Sequence, residues 1–276
     1  MRTVNKTYTS ILILLLMFCS FPAFSQDNVL PEKSKIKEPT SIFWINTYGN
    51  IRLSKRLFWV AQTHFRFQEK GGTPMVGQIA QVYNRHALGY LFSKKFNVAV
   101  GGVLRINFNT SDVLESGEKS AVPEWRIWEQ AQFAMPLGRS MIYHRFRFEQ
   151  RWSKGYLEDS DYIYRNRWRY MFRMKIPINK PKLASNTFYI APEAELIMQS
   201  GEPVIDSPLE DLRLHTSFGY IISPRLTMAT GFLYSLGQEL HNGGYYKQKM
   251  GLRFHVYFSP DFRKVKHKLP SIHKDD

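Results

Sequence analysis

The chain has 276 residues, 38 Lys and Arg against 23 Asp and Glu, a formal charge of +15, and a single cysteine. One cysteine excludes an internal disulfide, and beyond residue 25 no segment approaches the ~18 consecutive apolar residues that a membrane-crossing helix needs. So basic a chain in the cytosol would point to nucleic acid. Exported, it points instead to anionic lipopolysaccharide, anionic solutes or arginines paired internally.

Arg2 and Lys6 precede an apolar stretch at 11–18 that is too short to span a bilayer. Ala23 and Ser25 then place small residues where a signal peptidase reads, so a cleaved export leader is expected over 1–25. Cys19 would suit a lipoprotein signal, but Phe18 stands where that signal requires a small residue. The leader removes the cysteine and two positive charges, and export makes nucleic acid an unexpected partner. Residues 26–41 are polar, contain Lys and Pro, show no period and read as a periplasmic or lumen-threading tail.

From residue 42 the hydropathy alternates with period two, the signature of strands. Eleven such segments can be read: 42–53, 57–68, 76–92, 96–108, 125–135, 141–152, 161–176, 188–198, 212–222, 226–236 and 246–258. Short turns at 54–56, 93–95, 136–140 and 223–225 alternate with longer polar connections, among them 109–123, 153–160, 199–211 and 237–244. Many segments run to ten residues or more, beyond the about 5–6 usual in a soluble sandwich.

In 141–152, Arg145, Arg147, Glu149 and Arg151 share one face, and Ile142, Phe146, Phe148 and Trp152 share the other. In 161–176, Arg165, Arg167, Arg169 and Arg173 oppose Tyr164, Trp168, Tyr170 and Phe172. A soluble sandwich would turn the apolar face to a core and the charges to water. A membrane barrel does the reverse. Strand length, the alternation of short and long connections, and aromatics near strand ends (Trp59, Phe67, Phe96, Phe108, Trp125, Trp152, Tyr220, Phe258) favour the barrel. The expected fold is therefore all-β: an antiparallel transmembrane barrel over 42–258 of about 12 strands (10–12), with short periplasmic turns and longer extracellular loops. It would sit in the bacterial outer membrane, with a basic C-terminal tail at 259–276. Even strand numbers are the rule for single-chain bacterial barrels, and eleven segments do not satisfy it. Glu129 also breaks the pattern, falling on the apolar face; a bulge near Trp128 or a place near the interface would accommodate it.

Lys249, Gly251, Phe254 and Val256 have the spacing of the signal that barrel-assembly machinery reads in a last strand, although further residues follow it here. Trp44, Trp128-Glu129-Gln130, the run from Arg145 to Trp152, the run from Arg167 to Tyr170, and Glu193-Ala194-Glu195-Leu196 together resemble the family catalogued as domain of unknown function 2490. These are exported proteins of Gram-negative bacteria. The resemblance implies a membrane β-barrel and brings no established activity.

The candidate site is a charged lumen. Arg126, Arg145, Arg147, Arg151, Arg165, Arg167, Arg169 and Arg173 would project inward beside Glu124, Glu149, Glu193 and Glu195, eight cations to four acids. This set could be a salt-bridge network filling a narrow barrel, or it could make a lumen that favours anions. A small channel or solute-binding barrel for an anionic solute is the working expectation, and a non-conducting structural barrel is the alternative. A lipid-modifying enzyme is the third reading. His215 and Ser217 are the one close His/Ser pair within a strand, but their shared face is the lumen and no nucleophile elbow is present, so no catalytic residues are assigned. The histidines are scattered, so no metal or other cofactor is expected. Acidic residues at 112, 115, 118, 206, 210 and 211 read as solvated loops, with calcium between loops the sharper alternative. Outer-membrane lipid, lipopolysaccharide and the barrel-assembly machinery complete the expected partners.

Overall fold

In the computed structural model of the chain, residues 35–111, 113–204, 207–239 and 243–265 are described. The leader expected at 1–25 and most of the tail expected at 26–41 lie outside them. The described residues form a closed barrel of eleven strands and contain no helix. The first six strands are β1 (Lys35–Arg52), β2 (Leu57–Lys70), β3 (Thr73–Ser93), β4 (Phe96–Phe108), β5 (Ala121–Leu137) and β6 (Ser140–Ser153). They are followed by β7 (Ile163–Pro177), β8 (Thr187–Ser200), β9 (Leu209–Ser223), β10 (Leu226–Gln238) and β11 (Tyr245–Phe258).

Sequence neighbours pair antiparallel all the way round, and β1 closes on β11 in parallel. An odd number of strands leaves the first and last pointing the same way, so this seam can only be parallel. The expectation of an even count is corrected accordingly. The first strand also begins earlier than its composition suggested, at Lys35, because the parallel ladder to Tyr245 and Tyr246 captures residues that have no period of their own. The ladder slips between Lys37 and Thr40. Pro39 lies in that gap and has no amide to contribute.

Strand formation follows the alternation of side chains. Across β7, Trp168 is 54% exposed on the outer face while its neighbour Arg167 is 7% exposed on the inner one. Every strand is built from 13 to 21 residues, long enough to carry such a face from rim to rim. Aromatic pairs gather towards both outer margins: Phe96 stacks on Phe133 at one end, and Trp152 packs on Tyr164 at the other. Glu129 faces outward between Val100 and Phe148, and the register of β5 against both neighbours is unbroken there. The bulge that would have turned it inward is absent.

The connections alternate as expected with two exceptions. One rim carries turns at 53–56, 94–95, 138–139 and 224–225, but also the longer 178–186 segment. The other carries 109–120, 154–162, 201–208 and 239–244, but its first connection is a two-residue turn at Gly71 and Gly72, both with positive φ, on strands prolonged beyond the barrel wall. The tail expected to begin at 259 does not leave the barrel at once. The Arg52 amide donates to the Pro260 carbonyl, and Asp261 accepts from Arg263 and pairs with Arg225, so the chain folds over the short-turn rim as far as 265.

Inside that same rim the barrel is filled. Tyr48, Tyr189, Ile221, Ala229 and Tyr257 pack as one cluster, and Phe58, Val60, Ala87 and Ala99 begin another, which climbs the wall of β3 to β5 through Val103 and Trp128 to Tyr83. Polar side chains at this level, such as Thr187 and Gln132, are almost completely inaccessible. Gly219 lies directly against the Tyr189 ring, and a Cβ there would occupy the space of the ring itself. These side chains make a floor.

Candidate functional site

The inner face above the floor is charged, and β5 to β8 supply its centre. Period two turns Arg126, Arg145, Arg147, Glu149, Arg151, Arg165, Arg167, Arg169, Arg173, Glu193 and Glu195 inward together. Glu149 is completely buried and accepts from Arg126 Nη1 at 2.8 Å, Arg169 Nη1 at 2.9 Å and Arg167 Nη1 at 3.3 Å. Arg85 and Arg147 approach it at 3.7 and 3.9 Å. Glu124 is shared by Arg105, Arg126 and Arg151, Glu195 by Arg145, Arg169 and Arg213, and Glu193 by Arg173 and Arg253. Several of these contacts span the lumen rather than adjacent strands, such as Arg145 to Glu195 at 2.9 Å and Arg253 to Glu193 at 3.5 Å. Removing an ion from water costs several kcal/mol, and one contact at about 4 Å returns only about 4 kcal/mol at an effective dielectric constant of about 20. A buried carboxylate is therefore stable here only because each one serves more than one guanidinium.

Two acids assigned to a solvated loop belong to this network. The pairing of β8 with β9 shifts between Ile197 and Met198, which face Asp211 and Leu209 and leave Glu210 as the additional residue. That bulge turns Glu210 and Asp211 inward in succession. Glu210 accepts from Arg151 Nη1 at 2.8 Å and from Arg167 Nε at 2.6 Å, and Asp211 accepts from Arg213 Nε and Ser235 Oγ at 2.8 and 2.7 Å. Alternation could not have found Glu210, because the bulge breaks the period at that residue. The calcium alternative loses these two ligands to arginine. Glu118 accepts instead from Asn109 and the Glu115 amide, and Asp112 and Asp206 lie outside the described residues. Among the described residues no cluster of metal-ligating side chains has the geometry to hold an ion.

Among the described residues the opposite wall, formed by β11, β1, β2 and β3, brings cations to this level of the lumen but no carboxylate of its own, and Arg85 and Arg253 reach across to Glu149 and Glu193. The guanidinium carbon of Arg66 lies 3.9 Å from the centre of the Trp44 ring and 4.4 Å from that of Tyr83, and its Nη1 donates to Gln81 at 3.2 Å. Arg213 and Arg253 approach the Trp44 ring at 5.5 Å each. Stacking on aromatic faces satisfies a guanidinium's plane while leaving its edge free to donate. Lys249, read as part of an insertion signal, points inward together with Gly251, whereas Phe254 and Val256 face outward.

Between these walls lies a cavity of about 530 Å³, bounded by Trp44, Arg66, Arg147, Arg169, Glu195 and Lys249 among others. It extends towards the long-loop rim, where Thr110, Tyr156 and Glu239 border it. Glu239 bridges Lys37 and Lys247, and hydrogen bonds from those two ammonium groups hold its carboxyl below the ordinary carboxylate range. At the base of the cavity His64 lines it, with Tyr48 against His64 at 5.1 Å, and His215 lies against His255 at 5.2 Å between ring centres. Ser217 shares the inner face with His215 but is not hydrogen-bonded to it among the described residues. His144, on the outer face, is bonded to the Tyr170 hydroxyl at 2.8 Å.

No curated protein and no solved structure matches the chain. Residues 42–245 match the family described as protein of unknown function DUF2490, which spans all but the first few residues of the barrel and its last strand. The chain belongs to that family.

Proposed function

We propose that this chain is an outer-membrane barrel whose lumen is a one-ended receptacle for an anionic solute, entered from the long-loop rim. The observation that carries the reading is the cavity of about 530 Å³ whose cations outnumber its acids and which stands on an aromatic floor. Pockets of roughly 300–1,000 Å³ suit small molecules, and a ring of guanidinium groups in a low-dielectric enclosure attracts anions. Support for the membrane comes from the outward apolar face and its aromatic margins. The export leader and the spacing of Lys249, Gly251, Phe254 and Val256 point the same way. A last strand that ends in Phe258 at the short-turn rim orients that rim to the periplasm and the cavity mouth to the outside.

A floor distinguishes a receptacle from a channel. In planar bilayers the purified barrel is expected to pass no steady current, and Tyr48→Ala combined with Tyr189→Ala is expected to open an anion-preferring conductance. Calorimetry with a panel of small organic anions is expected to show saturable binding to the unaltered barrel. Steady cation-selective current, or no binding by any anion, would contradict the proposal. The dense sharing of Glu149 favours a second reading, a structural barrel braced from within. That reading requires Arg147→Ala and Arg167→Ala to lower stability and to leave permeability unaltered.

A further inference from the structure

We infer that the receptacle holds a phosphate-type dianion between Arg66 and Lys249, on the wall beside Trp44. This rests on the anion-receptacle reading and adds the place and chemical class of the ligand. Acids are unevenly distributed around the lumen. Glu124, Glu149, Glu193, Glu195, Glu210 and Asp211 all project from β5, β8, β6 and β9, and each is engaged by one or more arginines. Across the cavity, Arg66 has no carboxylate partner: its contacts are two aromatic faces and the Gln81 amide oxygen, and its buried Nε has no acceptor. Lys249 lines the same cavity as Asp211, whose two oxygens already accept from Arg213 and Ser235. Arg66 and Lys249 are partly buried cations facing one cavity with no carboxylate bonded to either, and a ligand carrying two negative charges would compensate both at once.

The two groups suit such a ligand in different ways. Arg66 is clamped between Trp44 and Tyr83, so its fork is already oriented and little freedom is lost when it donates to an oxyanion. Lys249 contributes a compact charge with donors that can turn to a tetrahedral oxygen. A planar carboxylate would satisfy the fork and leave the ammonium largely uncompensated. The cavity leaves room above this pair for the remainder of a phosphate monoester.

The test uses the full-length barrel refolded in detergent, with inorganic phosphate as the probe. Calorimetry is expected to show phosphate binding that weakens at least about tenfold in Lys249→Met and in Arg66→Gln, the loss of one charge-assisted contact in each. Retained heat-modifiable mobility on gels would show that both variants fold. A second measurement needs no variant: acetylation of Lys249, followed by peptide mass spectrometry, is expected to be suppressed by phosphate, whereas that of Lys94 and Lys95 at the opposite rim is not. Phosphate binding that ignores both substitutions and leaves Lys249 reactive would overturn this assignment and leave the receptacle standing elsewhere in the lumen. Citrate binding without phosphate binding would overturn the chemical class. Protection by lipopolysaccharide alone would move the site from a free solute to a lipid headgroup and overturn it as stated. Failure of every anion to bind would overturn the receptacle as well.

Discussion

Replacing Glu149 with alanine is expected to destabilise the barrel by about 3–5 kcal/mol, the range for removing one partner from a buried ionic cluster. The carboxylate is completely inaccessible and accepts from three arginines on two strands, β5 (Arg126) and β7 (Arg167 and Arg169), lying on either side of its own β6. Once it is gone, Arg85 and Arg147 also lose their nearest negative charge. Nothing can replace it locally, because Glu124 and Glu195 are already shared among other guanidinium groups. Glu149→Gln keeps the shape and one acceptor oxygen, so it should recover part of the loss. A control separates this from a general charge effect. Lys119 and Glu158 lie 3.9 Å apart with the Glu158 side chain 71% exposed, and Glu158→Ala should change stability by less than about 0.5 kcal/mol. Urea titration of the heat-modifiable folded form measures all three. Equal, small effects for Glu149→Ala and Glu158→Ala would mean that the internal network is not what holds the wall together.

Gly251→Val is expected to abolish closure of the barrel rather than merely weaken it. Gly251 faces inward opposite Ile42 in the parallel β1–β11 seam, and any Cβ there would be driven into the Ile42 carbonyl and its peptide. Backbone cannot yield as a flexible side chain can, so the two strands must separate. This seam is the last to form in a chain whose ends meet only after every hairpin is made, and no second edge is available to substitute. The expected result is loss of the heat-modifiable band and accumulation of unfolded protein, with Gly251→Ala intermediate. Gly138→Ala, at a surface turn where a Cβ meets nothing within 4 Å, should cost little beyond the strain of its positive φ. A Gly251→Val barrel that assembled normally would contradict the closeness of the seam. It would also return Gly251 to the role suggested by its spacing, that of a recognition signal alone.

How much was legible in the sequence varied with how local the determinant is. The inward arginines from 145 to 151 and from 165 to 173 could be read directly, because side chains on an unbroken strand alternate without exception. Glu193 and Glu195 were legible for the same reason. Glu210 was not, since one bulged residue reverses the phase of everything before it. Residues 35–41 were missed because their partner is the far end of the chain, and parallel pairing to β11 leaves no mark on local composition. The floor was also hidden. Alternation indicates that Tyr48, Tyr189 and Tyr257 point inward, but only the stagger of the strands decides that their rings meet at one level. The contrast between an acid-bearing and an acid-free wall likewise depends on contacts that cross the lumen, which a strand-by-strand reading cannot see.

Whether the apolar face meets lipid can be read from fluorescence quenching by brominated lipid, using variants of the refolded barrel in bilayers that each keep one tryptophan. The outward Trp168, 54% exposed on the apolar face, is expected to be strongly quenched by bromine in the acyl chains and to be shielded from iodide in water. The inward Trp128, which is completely buried, is expected to ignore the lipid. Quenching of Trp168 by aqueous iodide, with no response to brominated chains, would show the apolar face meeting water and would contradict the account.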